Sequence, residues 1–258
     1  MNPPEVFVHR DATLLARAAA ARLITRLVDA QSGGAVPHLV LTGGRGGGAL
    51  LDEIAASPAR DAVDWARVEV WWGDERYLPA GAPERNETQA RTALLDHVGV
   101  DPDRVHPMPA SDAGHASVED AAAAYAEVLR RAAQPQDRTG VPAFEVVLLG
   151  LGEDGHVASV FPESPALHEE RTVAAVRGAP KAPPTRITLT LRAIGQGREV
   201  WLLASGKDKA RAAVMALSDA GAYQIPAAGA RGRSRTLVLL DQDAAGRLPK
   251  GLDRRASS

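Results

Sequence analysis

From Pro37 onward the chain repeats one pattern: a short segment that is apolar at consecutive positions, then a helical stretch. The apolar segments are "HLVL", "VEVWW", "FEVVLLG", "EVWLLA" and "RTLVLLD". A strand with no polar alternation has to be covered on both faces, and strands separated by helices join most simply as parallel crossovers. The pattern therefore predicts α/β architecture: a single domain over residues 1–258 built on a mostly parallel, doubly wound (Rossmann-like) sheet with helices on both faces. A short flexible tail is expected from about residue 249. A chain of 258 residues is long enough to bury a sizeable core and lies near the upper end of one α/β domain.

The helices announce themselves by cap and period. "DATLLARAAAARLITRLVDAQ" offers Asp11 as N-cap and spaces Leu15, Ala19, Leu23 and Leu27 along one face. "GGALLDEIAAS", "SVEDAAAAYAEVLRRAAQ" and "KDKARAAVMALSD" read as helices as well. In "NETQARTALLDHV", Asn86 and Gln89 stand as cap and third helical residue. "RTVAAV" and "TRITLTLRAI" read as further strands, and the "APKAPPT" loop before the latter should be stiff and extended.

Composition narrows the partner. Net charge is −2 with both signs interspersed, which gives no electrostatic footprint for nucleic acid or an anionic membrane. The absence of cysteine removes disulfides, thiolate nucleophiles and thiolate metal sites. No run approaches the ~18 apolar residues of a membrane span, and "MNPPEVFVHRD" lacks a basic start followed by an apolar stretch. A cytoplasmic protein acting on a small molecule is expected, as a monomer or small homo-oligomer.

Four polar segments stand directly after apolar strands: "TGGRGGG", "GDER", "GLGEDGH" and "SGKDK". In open parallel sheets the carboxyl ends of strands border the crevice where ligands bind, so the four should meet. The glycines after Thr42 serve either a tight strand-to-helix turn or the approach of backbone N–H groups to an anion at a helix N-terminus. That segment lacks the Gly-Lys-Ser/Thr ending of a nucleotide loop, and a phosphate monoester suits it better. Asp74, Glu75 and Arg76 are either a surface ion cluster or a site group, and their place directly after "VWW" favours the site. Lys207 is either solvated or a phosphate ligand.

Of seven histidines, His9, His38, His97, His106, His115 and His168 have no comparable polar neighbourhood. His156 sits between glycines beside Glu153 and Asp154. An unperturbed imidazole, with a pKa of ~6.5, is largely neutral and basic at pH 7, and a neighbouring carboxylate can fix its tautomer. One imidazole without a second at ligand spacing is a poor metal site.

Taken in order from about residue 6 to residue 245, "WWGDERYLP" with "RNETQAR", "GLGEDGHVASVFP", "PPTRITLTL" and "SGKDKA" resemble the glucosamine-6-phosphate isomerase/6-phosphogluconolactonase family, on its lactonase side. The resemblance implies hydrolysis of a sugar-phosphate lactone, 6-phospho-D-glucono-1,5-lactone, to 6-phosphogluconate, the second step of the oxidative pentose phosphate pathway, with no cofactor and no metal. It implies His156 as general base supported by Asp154. Arg186, Lys207 and the Gly43-Gly44 turn would hold the phosphate, with Asp74 and Asn86 at the sugar hydroxyls. Where the family usually carries a hydroxyl after the double glycine this chain has Arg45, so Thr42, the Gly43 and Gly44 amides or the Arg45 guanidinium would take that contact. The oxyanion donors are left open among the backbone amides of the two glycine turns and Arg76. The related deaminases place a carboxylate five residues after the histidine, where this chain has Phe161. A sugar-phosphate isomerase or deaminase, and a non-catalytic sugar-phosphate-binding module, are the alternative readings.

Overall fold

The computed structural model describes residues 3–137, 139–218, 221–252 and 254–256. Seven parallel strands form the main sheet in the order β10-β1-β9-β8-β5-β2-β3. In chain order these are β1 (Glu5–His9), β2 (His38–Leu41), β3 (Glu69–Trp72), β5 (Val146–Gly150), β8 (Glu199–Ala204), β9 (Arg235–Asp241) and β10 (Arg254–Ala256). Two of them, β1 and β10, go beyond the strands expected from sequence. Within the segment after residue 249, expected to be a flexible tail, Arg254–Ala256 run in register with β1, Val6 beside Arg254.

Alternate residues along each strand enter two separate cores, which is why the strands are apolar throughout. Leu39, Leu41, Val146, Leu148, Trp201 and Leu203 pack on one face against α1 (Ala12–Ser32) and α2 (Gly44–Ala56). Val40, Val147, Leu149, Val200 and Leu202 pack on the other against α4 (Val118–Ala132) and α6 (Ala210–Ala216). The cap on α1 is as the sequence suggests, Leu14 N–H donating to Asp11 Oδ1 at 2.9 Å; on α4 Asp120 N–H donates to Ser117 Oγ at 3.1 Å.

Three strands lie outside the main sheet. β4 (Asp74–Arg76), β6 (Val173–Val176) and β7 (Arg186–Leu189) form an antiparallel sheet of their own, in the order β4-β7-β6. The antiparallel pairing of β6 with β7 follows from loop length: residues 177–185 between them are too few for the crossover of a dozen or more residues that parallel pairing needs. Gly73 is the pivot. Its N–H still bonds Leu41 O in the main sheet at 2.9 Å, while its carbonyl accepts from Leu189 N–H of the small sheet at 2.8 Å.

The main sheet reverses direction of growth between β2 and β5. From β2 the chain moves outward to β3 and then returns to lay β5 on the opposite side. Only Leu39 with Val146 and Val40 with Val147 are paired in register there, so the carboxyl ends part beyond them. A crevice at such a switch point is the expected ligand position in an open α/β sheet.

Candidate active site

A cleft of about 300 Å³ opens at that switch point, where Gly150 N–H donates to Thr42 Oγ1 at 3.3 Å across the parting strands. Thr42, Gly43, Gly44 and Arg45 line it from the β2–α2 turn. Asp74, Arg76 and Asn86 line it from β4 and the start of α3 (Asn86–Ala93), Arg186 from β7, and His156 from the turn after β5. Asp154 stands behind His156 and joins the site through it.

The histidine turn is folded tightly on itself. Gly152 N–H donates to His156 O at 2.9 Å, and Gly155 N–H to Gly152 O at 3.1 Å. The imidazole then lies over Gly152, where a Cβ would stand 2.0 Å from Nδ1. Nδ1 is 2.5 Å from Asp154 Oδ1, the same oxygen that accepts the His156 backbone N–H at 3.1 Å. Burial pulls the Asp154 carboxyl upward, but the hydrogen bond to the ring, its charge and the backbone N–H outweigh that and hold it at about 2. With Asp154 accepting from Nδ1–H, the neutral ring carries its lone pair on Nε2. Phe161 packs against the ring with centroids 4.5 Å apart.

Asp74 is nearly buried and its two oxygens are both engaged. Oδ2 accepts the Ser159 hydroxyl at 2.6 Å, and Asn86 Nδ2 donates to the Asp74 carbonyl at 2.8 Å and to Oδ1 at 3.3 Å. Asn86 is therefore not the cap of α3, as its sequence position suggests. A carboxylate from β4 does that work: Glu75, fully buried, accepts the N–H groups of Asn86 at 2.7 Å and Glu87 at 2.9 Å. It also accepts its neighbour Arg76's N–H at 2.7 Å, with the Arg85 guanidinium 3.8 Å away. Burial raises the Glu75 carboxyl's pKa against the opposing pull of Arg85 and these amides. The carboxylate frees the Asn86 side chain to face the cleft, where Gly43 makes room for it: a Cβ on Gly43 would stand 1.9 Å from Asn86 Oδ1.

Arg186 is held in place by carbonyls. Nε donates to Pro183 O at 3.1 Å and Nη2 to Lys181 O at 2.7 Å, while Nη1 reaches Ser159 Oγ at 3.4 Å and lies 3.9 Å from Asp74 Oδ2. Its pKa is lowered by burial, which Asp74 opposes. The loop it clamps turns instead of running extended, with the Ala182–Pro183 peptide cis.

Lys207 is not brought into the cleft. Residues Lys207–Lys209 form a 3-10 turn before α6, and at three residues per turn the first and third side chains leave on different sides. Lys207 is exposed, and Lys209 lines the cleft. Glu75, expected with Asp74 and Arg76 as a site group, does not line the cleft but acts on it from behind; Lys181, which lines the cleft, and Ser159, which acts from behind, carry no comparable signal in the sequence.

Arg45, Arg76, Lys181, Arg186 and Lys209 thus face Asp74 in one cleft of a chain whose net charge is −2. Such a site concentrates positive potential on an anionic ligand. Among the described residues no three metal-ligating side chains gather, and no helix is long and apolar enough to cross a membrane.

Known proteins resemble the chain along nearly its whole length. A 6-phosphogluconolactonase of Streptomyces coelicolor is 60% identical over 259 residues, covering 100% of this chain and 99% of that protein. One from Mycobacterium tuberculosis is 48% identical over 241 residues, covering 93% and 96%. The solved structure of 6-phosphogluconolactonase from Trypanosoma brucei superposes with a TM-score of 0.81 at 29% identity, covering 96% of this chain and 100% of that one. Residues 10–239 match the family described as glucosamine-6-phosphate isomerases/6-phosphogluconolactonase, and the chain belongs to that family.

Proposed function

We propose that this protein is a hydrolase that converts 6-phospho-D-glucono-1,5-lactone to 6-phospho-D-gluconate, the second step of the oxidative pentose phosphate pathway. The observation that carries the reading is the His156–Asp154 pair set in a cleft of cations, since a neutral sugar lactone with a phosphate at its far end needs one base and a distant anion site. The family membership and the relatives' names support the same activity.

The geometry supports the following steps. Nε2 of His156, left with the lone pair, takes a proton from a water as its oxygen attacks the lactone carbonyl carbon. Asp154 stabilises the imidazolium that forms. The tetrahedral oxyanion collapses by breaking the bond from that carbon to the ring oxygen, which takes the proton back from Nε2. The carboxylic acid then loses its proton to solvent. Arg186, Lys209 and the Gly43-Gly44 turn hold the phosphate, so that binding energy remote from the carbonyl orients it. Asp74 and Asn86, locked together, address the sugar hydroxyls, and Arg45 adds charge where the α2 N-terminus opens.

Acid release from freshly generated lactone, followed in a pH-stat, tests the assignment. Release well above the spontaneous rate is expected; release at the spontaneous rate removes the activity.

A further inference from the structure

Lys181 and Lys209 enter the cleft from different loops, one between β6 and β7 and the other after β8, and they meet at a single oxygen. Glu153 Oε1 lies 3.2 Å from Lys181 Nζ and 3.8 Å from Lys209 Nζ. Glu153 belongs to the histidine turn, one residue before Asp154, yet it takes no part in the contacts that shape that turn.

The surroundings of the two lysines differ from those of the arginine beside them. Arg186 spends Nε and Nη2 on the carbonyls of Lys181, Ala182 and Pro183. It thereby fixes the backbone that carries Lys181, and among the described residues the Lys181 ammonium itself has only Glu153 as partner. Lys209, with 16% of its side chain exposed, has Glu153 and, at 3.5 Å, Asp208. Lys181 and Glu153 are about half exposed, at 52% and 54%, so the contact between them is screened by solvent and contributes little to stability. An ion pair of that kind exchanges easily.

We propose that Lys181 and Lys209 form a two-lysine clasp on the substrate's phosphate, and that Glu153 is an anionic placeholder which keeps the two ammonium groups together until a phosphate displaces it. The inference rests on the lactonase reading of the same cleft. A phosphate monoester carries a charge of about −1.5 to −2 at pH 7 and three strong acceptor oxygens, against the single charge of a carboxylate. It can bond both ammonium groups at once while the Glu153 side chain turns to solvent. An unphosphorylated lactone cannot displace the carboxylate, so the placeholder sharpens selection for the phosphorylated substrate as it lowers absolute affinity.

Kinetics of lactone hydrolysis in Glu153→Gln, Lys181→Ala and the double variant test this. Glu153→Gln should lower KM about threefold, Lys181→Ala should raise it about tenfold, and in the Lys181→Ala background the gain from Glu153→Gln should shrink below about 1.5-fold. The inhibition constant of inorganic phosphate should move in parallel. An unchanged or raised KM in Glu153→Gln overturns the placeholder, as does an equal gain in both backgrounds, which would mark a general field effect. An unchanged KM in Lys181→Ala overturns the clasp. If the wild-type protein hydrolyses no lactone, the functional reading fails separately, and calorimetric titration of the same variants with inorganic phosphate decides the clasp by the same pattern in Kd.

Discussion

His156 Nδ1 and Asp154 Oδ1 stand 2.5 Å apart on the turn that leaves β5, and that contact directs the free lone pair of the ring to Nε2. In the proposed mechanism Nε2 is the base, and one hydrogen bond selects it. His156→Ala should cut kcat/KM by roughly 10²-fold or more, the scale of a positioned acid-base group, with the circular dichroism spectrum unchanged. Full activity in a folded variant would give the water's proton to another group.

The same contact has a pH signature. A carboxyl held at about 2, against an ordinary value of 3.8, contributes stability that is complete above the unfolded value and is lost as pH falls through the folded one. The contribution of Asp154 should therefore disappear between about pH 4 and pH 2. With 39% of its side chain exposed the pair is partly screened, so the effect on stability is small and the titration itself is the better readout. A carboxyl carbon shift measured by NMR should turn over near pH 2; a midpoint near 4 means the pair does not persist in solution.

Glu75 is the hinge between α3 and the small sheet. Its two oxygens accept three backbone N–H groups, and a glutamine offers only one acceptor oxygen while turning an amide donor toward Glu87 N–H. Glu75→Gln should cost about 1–3 kcal/mol of stability, the penalty for an unmet buried donor, and should raise KM because Asn86 and Arg76 shift with the helix start. Denaturant unfolding combined with steady-state kinetics checks both; a variant as stable as wild type would mean α3 is held by other contacts.

How far the sequence reveals this molecule depends on whether a signal is local. The parallel sheet is legible because two-faced burial writes itself into consecutive residues of one strand, as in "VVLLG". His156 and Asp154 are legible because they are two residues apart. What was not legible depends on residues distant in sequence. Glu75 caps a helix eleven residues further on, and Ser159 reaches back to Asp74 across 85 residues. Asn86 reads as a cap in the sequence because nothing near it shows that a carboxylate from another strand occupies the helix N-terminus. The separate antiparallel sheet does carry a local signal: "RITL" alternates polar and apolar residues where the strands of the main sheet run apolar, and the loop before it is too short for a parallel crossover.

Lys207 and Lys209 give a direct contrast on one turn. Lys209→Ala should raise KM about tenfold, because a cleft-lining ammonium is lost, and Lys207→Ala should change it by less than about twofold. Steady-state kinetics on the two variants decides it. A larger effect at Lys207 would mean that the turn rearranges when substrate binds.

The last expectation separates this protein from the amino-sugar enzymes that share its family. Deamination of glucosamine 6-phosphate requires a pyranose ring to open and a proton to move between adjacent carbons, which asks for a base at the substrate carbon and a histidine tuned by carboxylates for the ring opening. Among the described residues the imidazole pairs with one carboxylate, on Nδ1, and the phenyl ring of Phe161 packs against it, 4.5 Å away and 3% exposed. A phenyl ring packs and excludes water but accepts no proton, so it cannot supply the second acid-base group. The guanidinium of Arg186 lies 5.7 Å from the Phe161 ring centroid. Lactone hydrolysis needs only one base, one water and a place for the oxyanion. Incubated with glucosamine 6-phosphate under conditions where the lactone is rapidly consumed, the protein should release no ammonia in a glutamate dehydrogenase-coupled assay and form no ketose. Amino-sugar turnover at a rate comparable to the lactone would show that a group outside the His156 turn completes the isomerase machinery, and would overturn the lactonase assignment.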